Sequence, residues 1–170
     1  MFVSIPRLLL LTSLLTFGPT LQAEDEVFVT EAGAIRGYDA VAYHTEGKAV
    51  PGAARITHEW NGATWHFANE ANRDRFAADP QRYAPRYGGY CAYGTSNGYK
   101  VSTQPEAFAI VDGKLYLNYN VPVQNTWNKD RRGYIQKADG HWTAIEHEDY
   151  TSDTATIQAQ KAKAAQPDSQ

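Results

Sequence analysis

Arg55-Ile56-Thr57-His58-Glu59-Trp60-Asn61-Gly62-Ala63-Thr64-Trp65-His66-Phe67 is the stretch whose reading decides the fold. Asn-Gly supplies the two positive-φ positions of a type I′ turn, so two strands meet there in a tight hairpin. A two-residue loop sets the register: 60 faces 63, 58 faces 65 and 56 faces 67. Side chains alternate across a strand. One face therefore carries Ile56, His58, Trp60, Ala63, Trp65 and Phe67, while Thr57, Glu59, Thr64 and His66 occupy the other. A second hairpin follows at Asp112-Gly113, between Ala107-Phe108-Ala109-Ile110-Val111 and Lys114-Leu115-Tyr116-Leu117-Asn118-Tyr119. Phe108, Ile110, Leu115, Leu117 and Tyr119 form its apolar face, which belongs in the core with Trp60, Trp65 and Phe67.

Helices fit between and after the hairpins. Asn69 is placed to cap a helix running through Ala71, Arg73, Phe76 and Ala77, and Pro80 stops or restarts it. A last helix spans about 123–138, with Trp127 and Ile135 inward and Gly133 as a weak point. Asp139-Gly140 then turns the chain into a short apolar segment, residues 141–145. The expected fold class is α+β: small antiparallel β-hairpins packed with two helices in a single domain.

Composition narrows the function. The 170 residues suit one domain, and 42% hydrophobic content with 21% charged residues marks a globular chain. Lys and Arg number 16 against 19 Asp and Glu, so no basic surface invites nucleic acid. A lone Cys rules out an internal disulfide framework. At the N-terminus, Arg7 precedes the apolar run 8–17, then Gly18-Pro19 and Leu21-Gln22-Ala23 lead into Glu24-Asp25-Glu26. This is the layout of a secretory signal peptide over residues 1–23. The expected destination is the periplasm or the exterior, with no membrane association after cleavage. Residues 151–170 carry Ile157 as their one large apolar side chain and read as a flexible tail.

Tyr87-Gly88-Gly89-Tyr90-Cys91-Ala92-Tyr93-Gly94 is the least ordinary segment. Its glycines permit a tight backbone, and its aromatic residues make a pocket around the thiol plausible. Tyr87, Tyr90, Tyr93 and Trp65 are the expected pocket-lining residues. A thiolate is a soft ligand for Cu(I) or Zn, whereas residue type alone favours a small buried hydrophobe. His58 is the best partner for Cys91, because an imidazole on a core-facing strand is costly without a partner or a role. His44, at the end of a strand, stays open as a third ligand; His66, His141 and His147 read as solvated. Phosphate loops, nucleophile elbows and carboxylate pairs are missing. A thiol-dependent enzyme ranks last, since a lone Cys has no resolving partner.

These motifs, with their order along the chain, carry a resemblance. Gly37-Tyr38-Asp39-Ala40-Val41-Ala42-Tyr43 is followed by His58-Glu59-Trp60-Asn61-Gly62-Ala63-Thr64-Trp65, then Asn72-Arg73, Phe76, Pro80 and Tyr83-Ala84-Pro85. Tyr87-Gly88-Gly89-Tyr90-Cys91-Ala92, residues 110–118 and Trp127 complete the pattern. Together they resemble an exported, long-form member of the YHS domain family, with the domain over residues 32–147. The resemblance implies metal handling: a soft transition metal, copper before zinc, bound for storage, delivery or resistance, with Cys91 and His58 as ligands and a metal-transport protein as a possible partner. The Cys pairs of short family members are missing, and His44 inherits no role. The alternative is a module that binds a small non-metal ligand or a protein in the aromatic pocket around Cys91.

Overall fold

The computed structural model describes residues 26–164. The expected signal peptide and the last six residues lie outside the described residues. The chain opens with β1 (Val29–Thr30) paired antiparallel to β2 (Gly33–Ala34), then runs through a 3₁₀ turn into α1 (Ala40–Thr45). The first hairpin, β3 (Ala53–Trp60) and β4 (Ala63–Phe67), is followed by α2 (Glu70–Ala78) and α3 (Pro80–Tyr83). A second 3₁₀ turn, Arg86–Gly89, leads to α4 (Ala92–Ser96) and the second hairpin, β5 (Gln104–Val111) and β6 (Lys114–Asn118). Three helices finish the chain: α5 (Val121–Trp127), α6 (Arg131–Ile145) and α7 (Asp153–Ala164). The strands form three separate two-stranded sheets, and the fold is α+β as expected. No described helix is long and apolar enough to cross a membrane.

The first hairpin turns where expected, with Asn61 at φ 49° and Gly62 at φ 71°. Trp60 faces Ala63 and His58 faces Trp65, but Phe67 pairs with Ala53 rather than Ile56. A bulge between Ala53 and Thr57 shifts the far end of the ladder. The face assignment survives, since Ile56, Ala63, Trp65 and Phe67 are all buried. Asn69 caps α2 by accepting from the Asn72 amide at 2.9 Å, as its sequence position predicts.

The second hairpin departs from the alternating pattern. Its register holds, with Ile110 opposite Leu115 and Phe108 opposite Leu117. Ile110 and Tyr119 are each 37% exposed, however, whereas Tyr116 on the expected outer face is buried. The cause is that this hairpin is covered on both faces. Leu115 and Leu117 join a cluster with Trp65, Phe67 and Phe76. Ala109 and Tyr116 join a second cluster with Tyr87, Trp127 and Ala138. Small Ala107 and Ala109 let large rings approach the second face, so alternation gives way to near-continuous burial.

The expected last helix is two helices. Asp130 leaves helical geometry at φ −149° and accepts from the Gly133 amide at 3.0 Å, ending one helix and capping the next. The predicted turn at Asp139-Gly140 lies inside α6. Ala138 and Ile145 are buried and Trp142 partly so, at spacings of four and seven, and this packing outweighs the roughly 1 kcal/mol helix penalty of Gly140.

The ends of the domain are longer than composition suggests. Val27 and Phe28 are buried ahead of residue 32. Beyond 147, the Tyr150 ring packs on Tyr90 with centroids 5.3 Å apart. The Asp153 carboxylate accepts from both the backbone amide and the hydroxyl of Ser102, each at 2.7 Å. Residues 153–164 of the expected tail are therefore helical and tied down by polar contacts, which a count of apolar residues does not register.

Asp39 joins the first half of the domain. Its fully buried carboxylate accepts from the amides of Val41 (2.9 Å), Ala42 (3.2 Å) and Ala68 (2.9 Å) and from Asn72 Nδ2 (2.7 Å). Asp39→Ala strands four donors, three of them buried, and is expected to cost about 3 kcal/mol or more in urea unfolding. Asp39→Asn turns one NH₂ donor toward other donors and should cost about 1–3 kcal/mol. Trp65→Ala, at 1% exposure, should cost about 3–5 kcal/mol in the same measurement. A loss near zero would place Trp65 outside the core.

Candidate functional site

Cys91 sits where the chain passes from a left-handed turn into a helix. Tyr87, Gly88 and Gly89 all have positive φ, at 56°, 59° and 88°. Gly88 is required here: a Cβ would stand 1.7 Å from the Glu26 carbonyl oxygen. Cys91 then caps α4, its sulfur accepting from the Gly94 amide at 3.4 Å and the Tyr119 amide at 3.2 Å. The thiol faces Asn118 Oδ1 at 3.9 Å as donor. Burial pushes the thiol pKa up, with the backbone amides opposing. Beside the sulfur is an apolar pocket of about 120 Å³, lined by Tyr93, Tyr99, Val101, Tyr119, Val123 and Ile157 of α7. Asn118 Nδ2 lies buried without a hydrogen-bond partner.

The two histidines proposed from sequence have neighbours of their own. His58 packs edge-on against Phe76, ring centroids 6.1 Å apart. His44 stands near the end of helix α1, begun by the Asp39 cap, rather than at the end of a strand; its Nε2 is 3.3 Å from the Tyr83 carbonyl oxygen, and burial lowers its pKa. Neither ring is among the partners of the Cys91 sulfur or the walls of its pocket. Among the described residues, no group of three His, Cys, Asp or Glu side chains is arranged to hold a metal ion. A buried thiol engaged by two amides, kept neutral by burial and by the charge of Asp153, and outside any three-ligand group among the described residues, does not fit a resident copper or zinc ion.

The expected aromatic lining is divided between cavities. Tyr93 borders the Cys91 pocket, whereas Tyr87 and Trp65 border a second cleft of about 410 Å³. Tyr90 borders neither; it is 1% exposed and packs on Phe28, Trp142 and Tyr150. Trp60 and Trp142 join Tyr87 and Trp65 on the walls of the larger cleft, with Glu26, Asn61, Gln81, Arg86 and Glu146 supplying polar groups. The buried aromatics are held from behind. Trp65 Nε1 donates to the Trp60 carbonyl at 3.0 Å, and the Tyr87 hydroxyl donates to Asp139 at 2.9 Å. Burial and that carboxylate raise the Tyr87 pKa, so its phenol stays neutral. At the rim, Asn61 Nδ2 donates to Glu26 at 3.0 Å, and His147 Nδ1 stands 3.2 Å from the same carboxylate.

Residues 41–87 match the family model of the YHS domain. That segment is similar to a YHS domain. Comparisons with curated proteins and with solved structures gave no match. The YHS segment contains His44 and His58 and stops short of Cys91. It supplies Trp60, Trp65, Gln81, Arg86 and Tyr87 to the larger cleft, while Glu26, Trp142 and Glu146 come from outside it. Sequence reasoning missed Trp60 and Trp142 as cleft walls. In the sequence, Trp60 is legible only as a core-face residue and Trp142 only as part of the short apolar segment after Asp139-Gly140.

Burial of Cys91 has two measurable results. A thiol reagent at neutral pH should label it slowly in the folded chain and quickly in denaturant. Asp153→Ala, which frees the end of α7 bearing Ile157, should speed labelling and leave Cys91 the same in denaturant. Because the fold favours the neutral thiol, this contribution to stability is present at neutral pH and is lost as pH rises above the ordinary thiol value of 9.0. In Cys91→Ser that alkaline loss should shrink.

Proposed function

We propose that the chain is an exported binding module that takes a small organic ligand in the cleft between Trp60, Trp65, Tyr87 and Trp142. One observation carries the reading. Aromatic side chains from β3, β4, the Arg86–Gly89 turn and α6 converge on one cavity of about 410 Å³ that also presents two carboxylates, two amides and a guanidinium. The exposed lining is more polar than apolar, with aromatic side chains set among hydrogen-bonding groups, a make-up suited to a polar small molecule. The secretory layout of residues 1–23 supports export to the periplasm or the exterior, where such a module would meet its ligand.

The family supports a second reading. YHS domains are associated with heavy-metal proteins, copper among them, so the ion would be cargo passed to a transport partner, held by Cys91 with His58 or His44 after rearrangement. The buried, amide-bonded thiol favours the cleft instead. Both readings meet in one experiment on the chain lacking residues 1–23. It is titrated with Cu(I) and Zn(II) under reducing conditions, and separately screened by thermal shift against a small-molecule library. The cleft reading expects at least one saturable ligand, weakened by Gln81→Ala and by Trp142→Ala. Stoichiometric Cu(I) uptake abolished in Cys91→Ser, with no ligand sensitive to Gln81 or Trp142, would overturn it.

A further inference from the structure

We propose that the cleft ligand is a neutral sugar, a mono- or disaccharide; this rests on the ligand-binding reading of the same cleft. Trp60 on β3 and Trp142 on α6 are only partly buried, and both line the cavity. A pyranose ring matches such walls, because it has a face of C–H groups and an edge of hydroxyls. Each hydroxyl donates once and accepts twice. The polar groups of the cleft suit that pattern: the lone pairs of Glu26 and Glu146 not met by Asn61 and His147 accept, Arg86 donates, and the Gln81 amide does both.

The charges already in place disfavour ionic ligands. An organic cation would seek the ring faces. Two of these already meet a cation of the protein: the Arg86 guanidinium lies 5.8 Å from the Tyr87 centroid, and Lys100 Nζ lies 5.7 Å from that of Trp142. An anion would meet two carboxylates against one guanidinium, and that guanidinium pairs with Asp139 at 3.5 Å. A neutral polyol leaves these pairs intact. The cavity volume of about 410 Å³ has room for one or two rings.

The test is a titration of the chain lacking residues 1–23, followed by tryptophan fluorescence. The probes are glucose, galactose, maltose, cellobiose, choline and citrate. At least one of the four sugars should give a saturable change, with affinity about tenfold weaker in Glu146→Gln or in exposed Gln81→Ala, the loss of one ligand hydrogen bond. Both variants should keep the parent circular dichroism and melting temperature, which separates lost binding from lost folding. Glu146-dependent binding of choline or citrate with no response to sugars would overturn the ligand class and leave the cleft reading standing. No response to any probe, alongside a library ligand that depends on Gln81, would likewise overturn the sugar. Silence from the probes and the library together would overturn both.

Discussion

The Asp39 carboxylate is the contact on which the first half of the domain depends. A buried charge is costly unless every lone pair is met, and here four donors meet it. They come from the start of α1, the exit of β4 and the first turn of α2, three elements that have no sheet in common. Because Asn72 is one of them, α2 is set in rotation as well as in position. That orientation brings Phe76 onto Trp65 and Phe67, with centroids 4.9 and 5.1 Å apart, and onto the back of Trp60 at 5.8 Å. The cleft wall at Trp60 thus traces back to one polar knot more than a helix away.

Two apolar clusters, not one, fill the domain, and the second hairpin separates them. Leu115 and Leu117 serve one cluster while Ala109 and Tyr116 serve the other. The larger cleft takes Trp65 and Val27 from the first and Tyr87 from the second. It therefore follows the seam where the clusters meet at the surface, the place where packing is incomplete by construction. The Cys91 pocket is closed differently, by Ile157 from the terminal helix, and offers almost no polar group.

Much of this was legible in the residues. Asn-Gly and Asp-Gly turns placed both hairpins, and Asn69 placed α2, because turn chemistry and caps are local. What escaped depends on partners distant in sequence. Alternation in the second hairpin predicts one buried face, and only a second cluster built by Tyr87 and Trp127 explains why Tyr116 is inside and Ile110 is not. The break at Asp130 is a local cap that the Trp127–Ile135 spacing concealed. At the candidate site, the register put His58 on the interior face as expected. Nothing in a register says which interior neighbour it meets, and that neighbour is Phe76 rather than the thiol.

Confining the strands to pairs also shapes the order of assembly. Each hairpin closes across a two-residue turn, an event on the scale of about 1–10 μs that needs no other part of the chain. The contacts that unite them span long loops: Arg36 to the Thr103 carbonyl, Phe28 to the Gly88 carbonyl, Ser102 to Asp153. Closing such loops is entropically costly before it is repaid by contacts. The hairpins are thus early, self-contained units, and the first and last described segments join last. Since those segments supply Glu26 and Glu146 to the larger cleft and Ile157 to the smaller pocket, both cavities take final shape only when folding is complete.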